Sequence, residues 1–212
     1  MEFWILGAGK FGRIALERLR KKHPDALIKV VDSDAKALAG LGLGAETLVA
    51  PGADFLLQEL SPDNQPDWIV PAIPVHMAFD WLLARLQTKK PARQAPVPRE
   101  IADKAPNPMW GENGTLYVSQ ADFLCPDNCP EPKDRCFKTG LPRDNLFDML
   151  ARMDVPGSIQ VVIRSHQLTP GVGGIKPDDL FNAEKQAFAS DLPVHFSTAC
   201  RCHGVINRLE FA

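Results

Sequence analysis

Phe3-Trp4-Ile5-Leu6 runs directly into Gly7-Ala8-Gly9-Lys10-Phe11-Gly12, and an amphipathic stretch to Lys22 follows. Three glycines in six positions between an apolar run and a helical pattern narrow the folds open to this chain. The strand must end in a tight turn, and the helix must pack back closely against it, which is the opening of a βαβ crossover and so of a parallel sheet. Phe11, Ile14, Ala15 and Leu19 give that helix, Lys10 to Lys22, its apolar stripe and leave a basic, solvated opposite face.

The same alternation continues. Strands are expected at Leu27–Val31, Glu46–Val49 and Trp68–Val70, with helices at Ala35–Leu41, Phe55–Leu60 and Met77–Leu86. Residues 1–90 therefore read as a dinucleotide-binding core and 91–114 as a proline-rich connector with one helical turn at Arg99–Asp103. Residues 115–212 read as a cysteine-bearing half that extends the same sheet. Its strands are expected at Thr115–Ser119 and Ile159–Ile163, its helices at Asn145–Arg152 and Pro177–Phe188. Val194–Ala199 and Val205–Phe211 are too close in sequence for a crossover helix and read as an antiparallel hairpin. The fold class is then α/β: a Rossmann-like doubly wound, mostly parallel sheet with helices on both faces and a C-terminal antiparallel hairpin, in one structural unit.

Asp32 ends the second strand about 20 residues beyond Gly12, where a carboxylate accepts the ribose hydroxyls of a dinucleotide. The glycines let backbone reach its pyrophosphate, and the helix N-terminus stabilises that charge. Gly7, Gly9, Lys10, Phe11, Gly12 and Asp32 are the candidate cofactor-binding residues. A carboxylate repels a 2′-phosphate and no arginine follows closely, so NAD(H) is favoured over NADP(H). Gly7 to Gly12, Asp32 and the Leu41-Gly42-Leu43-Gly44-Ala45-Glu46 stretch resemble the TrkA-N type NAD-binding domain of bacterial potassium-uptake regulators. The resemblance covers roughly the first 75 residues and implies NAD or NADH at the glycine turn and at Asp32. The Gly-Asp that such domains carry after the third strand is here Ala50-Pro51-Gly52-Ala53-Asp54, and nothing beyond Pro91 resembles their regulatory domain. Potassium transport is not carried over.

The 24 Lys+Arg nearly cancel the 26 Asp+Glu, so no electrostatic argument points to nucleic acid or an anionic membrane surface. No run reaches the roughly 18 apolar residues of a membrane span, and the first residues lack a signal peptide's basic region and apolar core. A cytoplasmic protein is expected, for which five cysteines point to metal ligation, reactive thiols or apolar burial before disulfides. Cys125-x3-Cys129-x6-Cys136 lies in a segment holding nine of the 19 prolines, and Cys200-Arg201-Cys202-His203 lies about 64 residues beyond. Strands that run parallel would deliver both groups to one sheet edge. Three loop cysteines plus Cys200 or Cys202 would then hold Zn²⁺ or an iron–sulfur cluster, the alternative being buried or redox-active thiols.

His76 after the fourth strand, and Arg164 and His166 after the sixth, are the catalytic candidates at the same edge; a guanidinium there would grip a small anionic substrate in two-point fashion. Pro170-Gly171-Val172-Gly173-Gly174 reads as an anion-binding nest or a plain turn. Two functions are expected: an NAD-dependent oxidoreductase with a thiolate metal site near the nicotinamide, or a non-enzymatic NAD(H)- and metal-sensing regulator. Either is compatible with a homo-oligomer.

Overall fold

The computed structural model describes residues 1–42 and 44–211, so Leu43 of the Leu41–Glu46 stretch lies outside the described residues. The chain is α/β, with one parallel and one mixed sheet. The first sheet comprises β1 (Glu2–Leu6), β2 (Leu27–Asp32), β3 (Glu46–Val49) and β4 (Trp68–Pro71) in the order β3-β2-β1-β4. Every pairing in it is parallel. Helix α1 (Lys10–Lys22) and the short α2 (Ala35–Leu38) cover one face, where Ala15, Leu16, Leu19 and Leu38 bury against Phe3, Ile5, Ile28 and Val30. Helices α3 (Gly52–Glu59) and α4 (Met77–Gln87) cover the other, against Trp4, Leu6, Val31 and Ile69. The crossovers thus change face between β1 and β4, whose carboxyl ends lie side by side.

The strands after Pro91 do not extend that sheet, and this corrects the sequence expectation. β5 (Ala92–Ala95), helix α5 (Arg99–Lys104), β6 (Met109–Trp110) and β7 (Leu116–Ser119) precede the cysteine loop. Helix α6 (Leu146–Ala151), β8 (Ile159–Arg164), β9 (His166–Thr169), β10 (Val172–Gly174), helix α7 (Pro177–Ala189), β11 (Val194–Ala199) and β12 (His203–Phe211) follow it. Six of these strands form a separate mixed sheet, ordered β6-β7-β12-β11-β8, with β5 also paired to β12. The physical reason is the nine-residue β12, long enough to pair with β11 along one edge and with both β7 and β5 along the other. Ile69 of β4 ties the first sheet to the segment after β10, its N–H and C=O exchanging hydrogen bonds with Ile175 at 3.0 and 2.9 Å. β9 and β10 form a hairpin of their own, turned at Pro170 and Gly171 with Gly171 at φ +71°, while Val172–Gly174 belong to the strand.

One apolar cluster runs through both halves. It passes from Trp4 and Leu6 through α3, α4 and α7 to Val161, Phe196 and Leu209 of the second sheet, so a single helical layer is shared by two sheets. A further cluster packs α5 and α6 on the outer face of the second sheet. No helix among the described residues is long and apolar enough to cross a membrane.

Candidate functional site

The three glycines of the first turn have different reasons to be glycine. Gly7 adopts φ +109°, and a Cβ on it would stand 2.7 Å from the Ala72 carbonyl oxygen. A Cβ on Gly12 would stand 1.9 Å from the Gly7 carbonyl oxygen, because α1 packs directly onto the turn. Gly9 is the helix N-cap at φ −70°, a conformation open to any residue, and a Cβ there would meet nothing within 4 Å. Folding requires the first and third glycines. The second faces open space at a helix N-terminus, where a missing side chain matters only to something that approaches from outside.

Asp32 stands at the end of β2. One carboxylate oxygen accepts the Ala8 N–H at 2.6 Å, and the other accepts the Asp34 N–H at 2.8 Å. Both bonds fix the carboxylate beside the turn, and each oxygen keeps a second lone pair for an external hydroxyl. Phe11 is exposed, and Lys10 reaches out of the turn to Asp127 at 2.9 Å. That bond holds the Asp127 carboxyl below its usual range.

Asp127 belongs to the cysteine loop. β7 and β11 both run antiparallel to β12, hence in the same direction, and end at one edge of the second sheet. Cys125, Cys129 and Cys136 after β7 and Cys200, Cys202 and His203 after β11 line a single cleft of about 750 Å³ there. All five thiols are half-buried and free. Glu131 locks the two segments together. Its backbone takes the left-handed φ of +46°, unusual for a residue with a Cβ, and its carboxylate accepts the Arg201 N–H at 2.8 Å. Gln167 closes the remaining side by donating to the Cys129 carbonyl at 2.7 Å.

Burial pushes the Cys200 thiol up to about 12, helped by the Glu131 carboxylate, and Cys202 up to about 11. Burial and the neighbouring Cys129 and Cys136 also raise Cys125. Cys136 moves the other way, because Thr139 and the backbone N–H groups of Thr139 and Lys138 bond to its sulfur. Arg143 donates to the Pro132 carbonyl at 2.6 Å, yet its Nε and Nη1 are buried without a partner. A guanidinium with idle donors beside thiols is a place where negative charge on sulfur is stabilised. Among the described residues no three His, Cys, Asp or Glu side chains stand close enough together to hold a metal ion, so ligation requires thiols on the exposed loop to turn inward.

The three catalytic candidates are not brought together, and none lines the cleft. His76 stacks between Phe79 and Phe196, its Nδ1 2.7 Å from Asn207 Oδ1 and its Nε2 2.9 Å from the Thr198 hydroxyl. Burial pushes it down to about 4, so at neutral pH it is an uncharged member of a polar network between β4 and the second sheet. Arg164 lies over the Phe147 ring on the other face of that sheet, with its Nε buried and unpartnered. His166 packs edge-on against Trp68 and is lowered by burial, with Arg164 adding to the shift. His203, by contrast, lines the cleft and stands 3.9 Å from Cys200 Sγ. The Cys-x2-His spacing of residues 200–203 was the available signal for it.

Residues 78–212 match a protein family described as "Uncharacterized protein, C-terminal domain", and the chain belongs to that family. The match begins inside α4 and takes in every strand of the second sheet, the cysteine loop and the turn after β11. A protein of Archaeoglobus fulgidus, described as "Uncharacterized protein", is 29% identical over 224 residues, spanning 98% of this chain and 99% of that protein. The similarity therefore extends across the glycine turn as well as the cysteine half.

Proposed function

We propose that this chain is an NAD(H)-binding redox protein of the cytoplasm, in which a Rossmann-like first sheet presents a dinucleotide next to a cysteine-ligated metal centre. Gly7, Gly9 and Gly12 take the pyrophosphate, and Asp32 takes the adenosine ribose. Cys125, Cys129 and Cys136, together with Cys200 or Cys202, supply the ligands for Zn²⁺ or an iron–sulfur cluster. The observation that carries this reading is the Lys10–Asp127 ion pair. One partner lies between Gly9 and Gly12, the other between Cys125 and Cys129, so the two candidate sites adjoin. The open space at Gly9 and the resemblance to TrkA-N type domains support the dinucleotide half. The convergence of all five thiols and the idle Arg143 donors support the metal half. A metal at the cleft would supply Lewis acidity if zinc, or single-electron transfer if a cluster.

Calorimetry with NAD⁺, NADH, NADP⁺ and NADPH tests the first half. Binding of NAD(H) in preference to NADP(H), abolished by Gly9→Trp, is the expected result; unchanged affinity in that variant refutes it. Metal and sulfide analysis of anaerobically purified protein tests the second half, which fails if neither zinc nor iron is found. A second reading, a non-enzymatic sensor of NAD(H) and metal, is favoured by the dispersal of His76, Arg164 and His166 away from the cleft. Steady NADH oxidation with any small carbonyl or disulfide acceptor would exclude that reading.

A further inference from the structure

The turn between β11 and β12 places a thiol and an imidazole side by side. Ala199 faces Gly204 across the two strands. Cys200 and His203 are the next facing positions, and side chains at facing positions of an antiparallel pair are neighbours. The Cys200 N–H donates to the His203 carbonyl at 2.9 Å. On the return side the His203 N–H bonds to Cys200 Sγ at 3.3 Å, and the Cys202 N–H reaches the same sulfur at 3.3 Å. Two backbone donors converging on one sulfur stabilise negative charge there and fix its position. His203 Nδ1 stands 3.9 Å from that sulfur. A tetrahedral ion with bonds of about 2.3 Å to sulfur and about 2.1 Å to nitrogen separates two such donors by about 3.6 Å, a few tenths of an ångström closer than observed.

We propose that Cys200 and His203 are a preassembled chelating pair, the fixed half of a mixed sulfur–nitrogen metal site that cysteines of the 121–144 loop complete, with zinc as the ion this donor set favours. The inference rests on the metal reading above and assigns it a ligand set. The Glu131–Arg201 bond brings the loop to the pair, since Glu131 lies between Cys129 and Cys136 and Arg201 next to Cys200. Cys202 also lines the cleft; the sulfur on which two backbone N–H donors converge is that of Cys200, which is therefore the one assigned to the ligand set. Three cysteines and one histidine are a recognised donor set of structural zinc sites.

The test uses the full chain, reduced, stripped of metal without oxygen and titrated with Co²⁺, whose visible bands report donor type and geometry. Wild type is expected to take up one ion with the bands of a tetrahedral site. His203→Gln should weaken binding at least tenfold and shift those bands, His203→Cys should restore affinity with bands moved to lower energy, and Cys202→Ser should change neither. Wild-type affinity and spectrum in His203→Gln would overturn the proposal, as would loss of binding in Cys202→Ser with retention in Cys200→Ser. Circular dichroism of each variant identifies folding failure; if His203→Gln does not fold, an unshifted spectrum in His203→Cys is the overturning result. Failure of His203 alone leaves an all-cysteine centre standing, whereas absence of any Co²⁺ uptake by wild type removes the metal reading as well.

Discussion

At the glycine turn, six consecutive residues and two neighbouring strand ends define the geometry, and the fit is so close that a single methyl group on Gly12 would overlap backbone. At the cysteine cleft the contributing segments are about 64 residues apart, joined by the bond from the Arg201 N–H to Glu131, with Gln167 of β9 holding the Cys129 carbonyl from a third side. The turn is rigid because it is part of a core; the cleft is held by polar ties at a surface. Tolerance should differ accordingly. A cavity bounded by exposed loop side chains can rearrange around an ion, whereas a strand-to-helix turn buried on two sides cannot rearrange around anything.

The largest effect that could break this contrast is expected at Gly12. Gly12→Val should cost at least about 3 kcal/mol of stability, since the clash is with backbone that cannot move aside; urea unfolding that matches wild type would show the turn to be as pliant as the cleft. Next is the junction between the regions, where His76 titrates near 4 in the native state against 6.5 in the unfolded chain. Below pH 6.5 the unfolded chain takes up a proton that the native state refuses. Stability is therefore full above that pH and declines towards pH 4 by roughly 2–3 kcal/mol. His195, also pushed down to about 4 by burial, adds to the same window. His76→Gln should flatten the decline in urea midpoints between pH 6.5 and 4, and an unaltered slope would show that the network does not titrate as its burial requires.

A smaller effect is expected at Gly9. Gly9→Ala should leave stability within about 1 kcal/mol of wild type while lowering NAD(H) affinity about tenfold or more, a split between melting and calorimetry that Gly12 variants cannot produce. The smallest is expected at the exposed Lys10–Asp127 pair. Lys10→Met should leave the melting temperature nearly unchanged, since exposed ion pairs contribute little, yet it should remove any dependence of NAD(H) affinity on bound metal. Persistence of that coupling in the variant would mean that the two regions communicate by another route.

Helices α1, α4 and α7 were legible because their apolar positions recur at helical spacing, and β1 to β4 because short apolar runs alternate with them. β5 was not legible: Ala92-Arg93-Gln94-Ala95 sits among prolines with two polar residues at its centre, and it becomes a strand only because β12 offers it a free edge. β9 and β10 were hidden for a similar reason, one beginning His-Gln and the other ending in Gly-Gly. The division into two sheets had no local signal at all, since alternation marks a strand and not its partner. In the site, the residues that carry their own steric demand, Gly7 and Gly12, could be read directly. The roles of His76, Arg164 and His166 depended on which way each strand end faced, and sequence spacing does not hold that information.

The helical layer shared by the two sheets also sets a clock during synthesis. Phe79 and Trp81 of α4 leave the ribosome well before their aromatic partners Phe196 and Phe181. At translation speeds of about 5–20 residues per second, more than a hundred residues of further chain means a wait of roughly 6 to 23 seconds for Phe196. Through that interval Phe79 and Trp81 lack the aromatic partners that cover them in the finished fold, which leaves that side of α4 open to a chaperone.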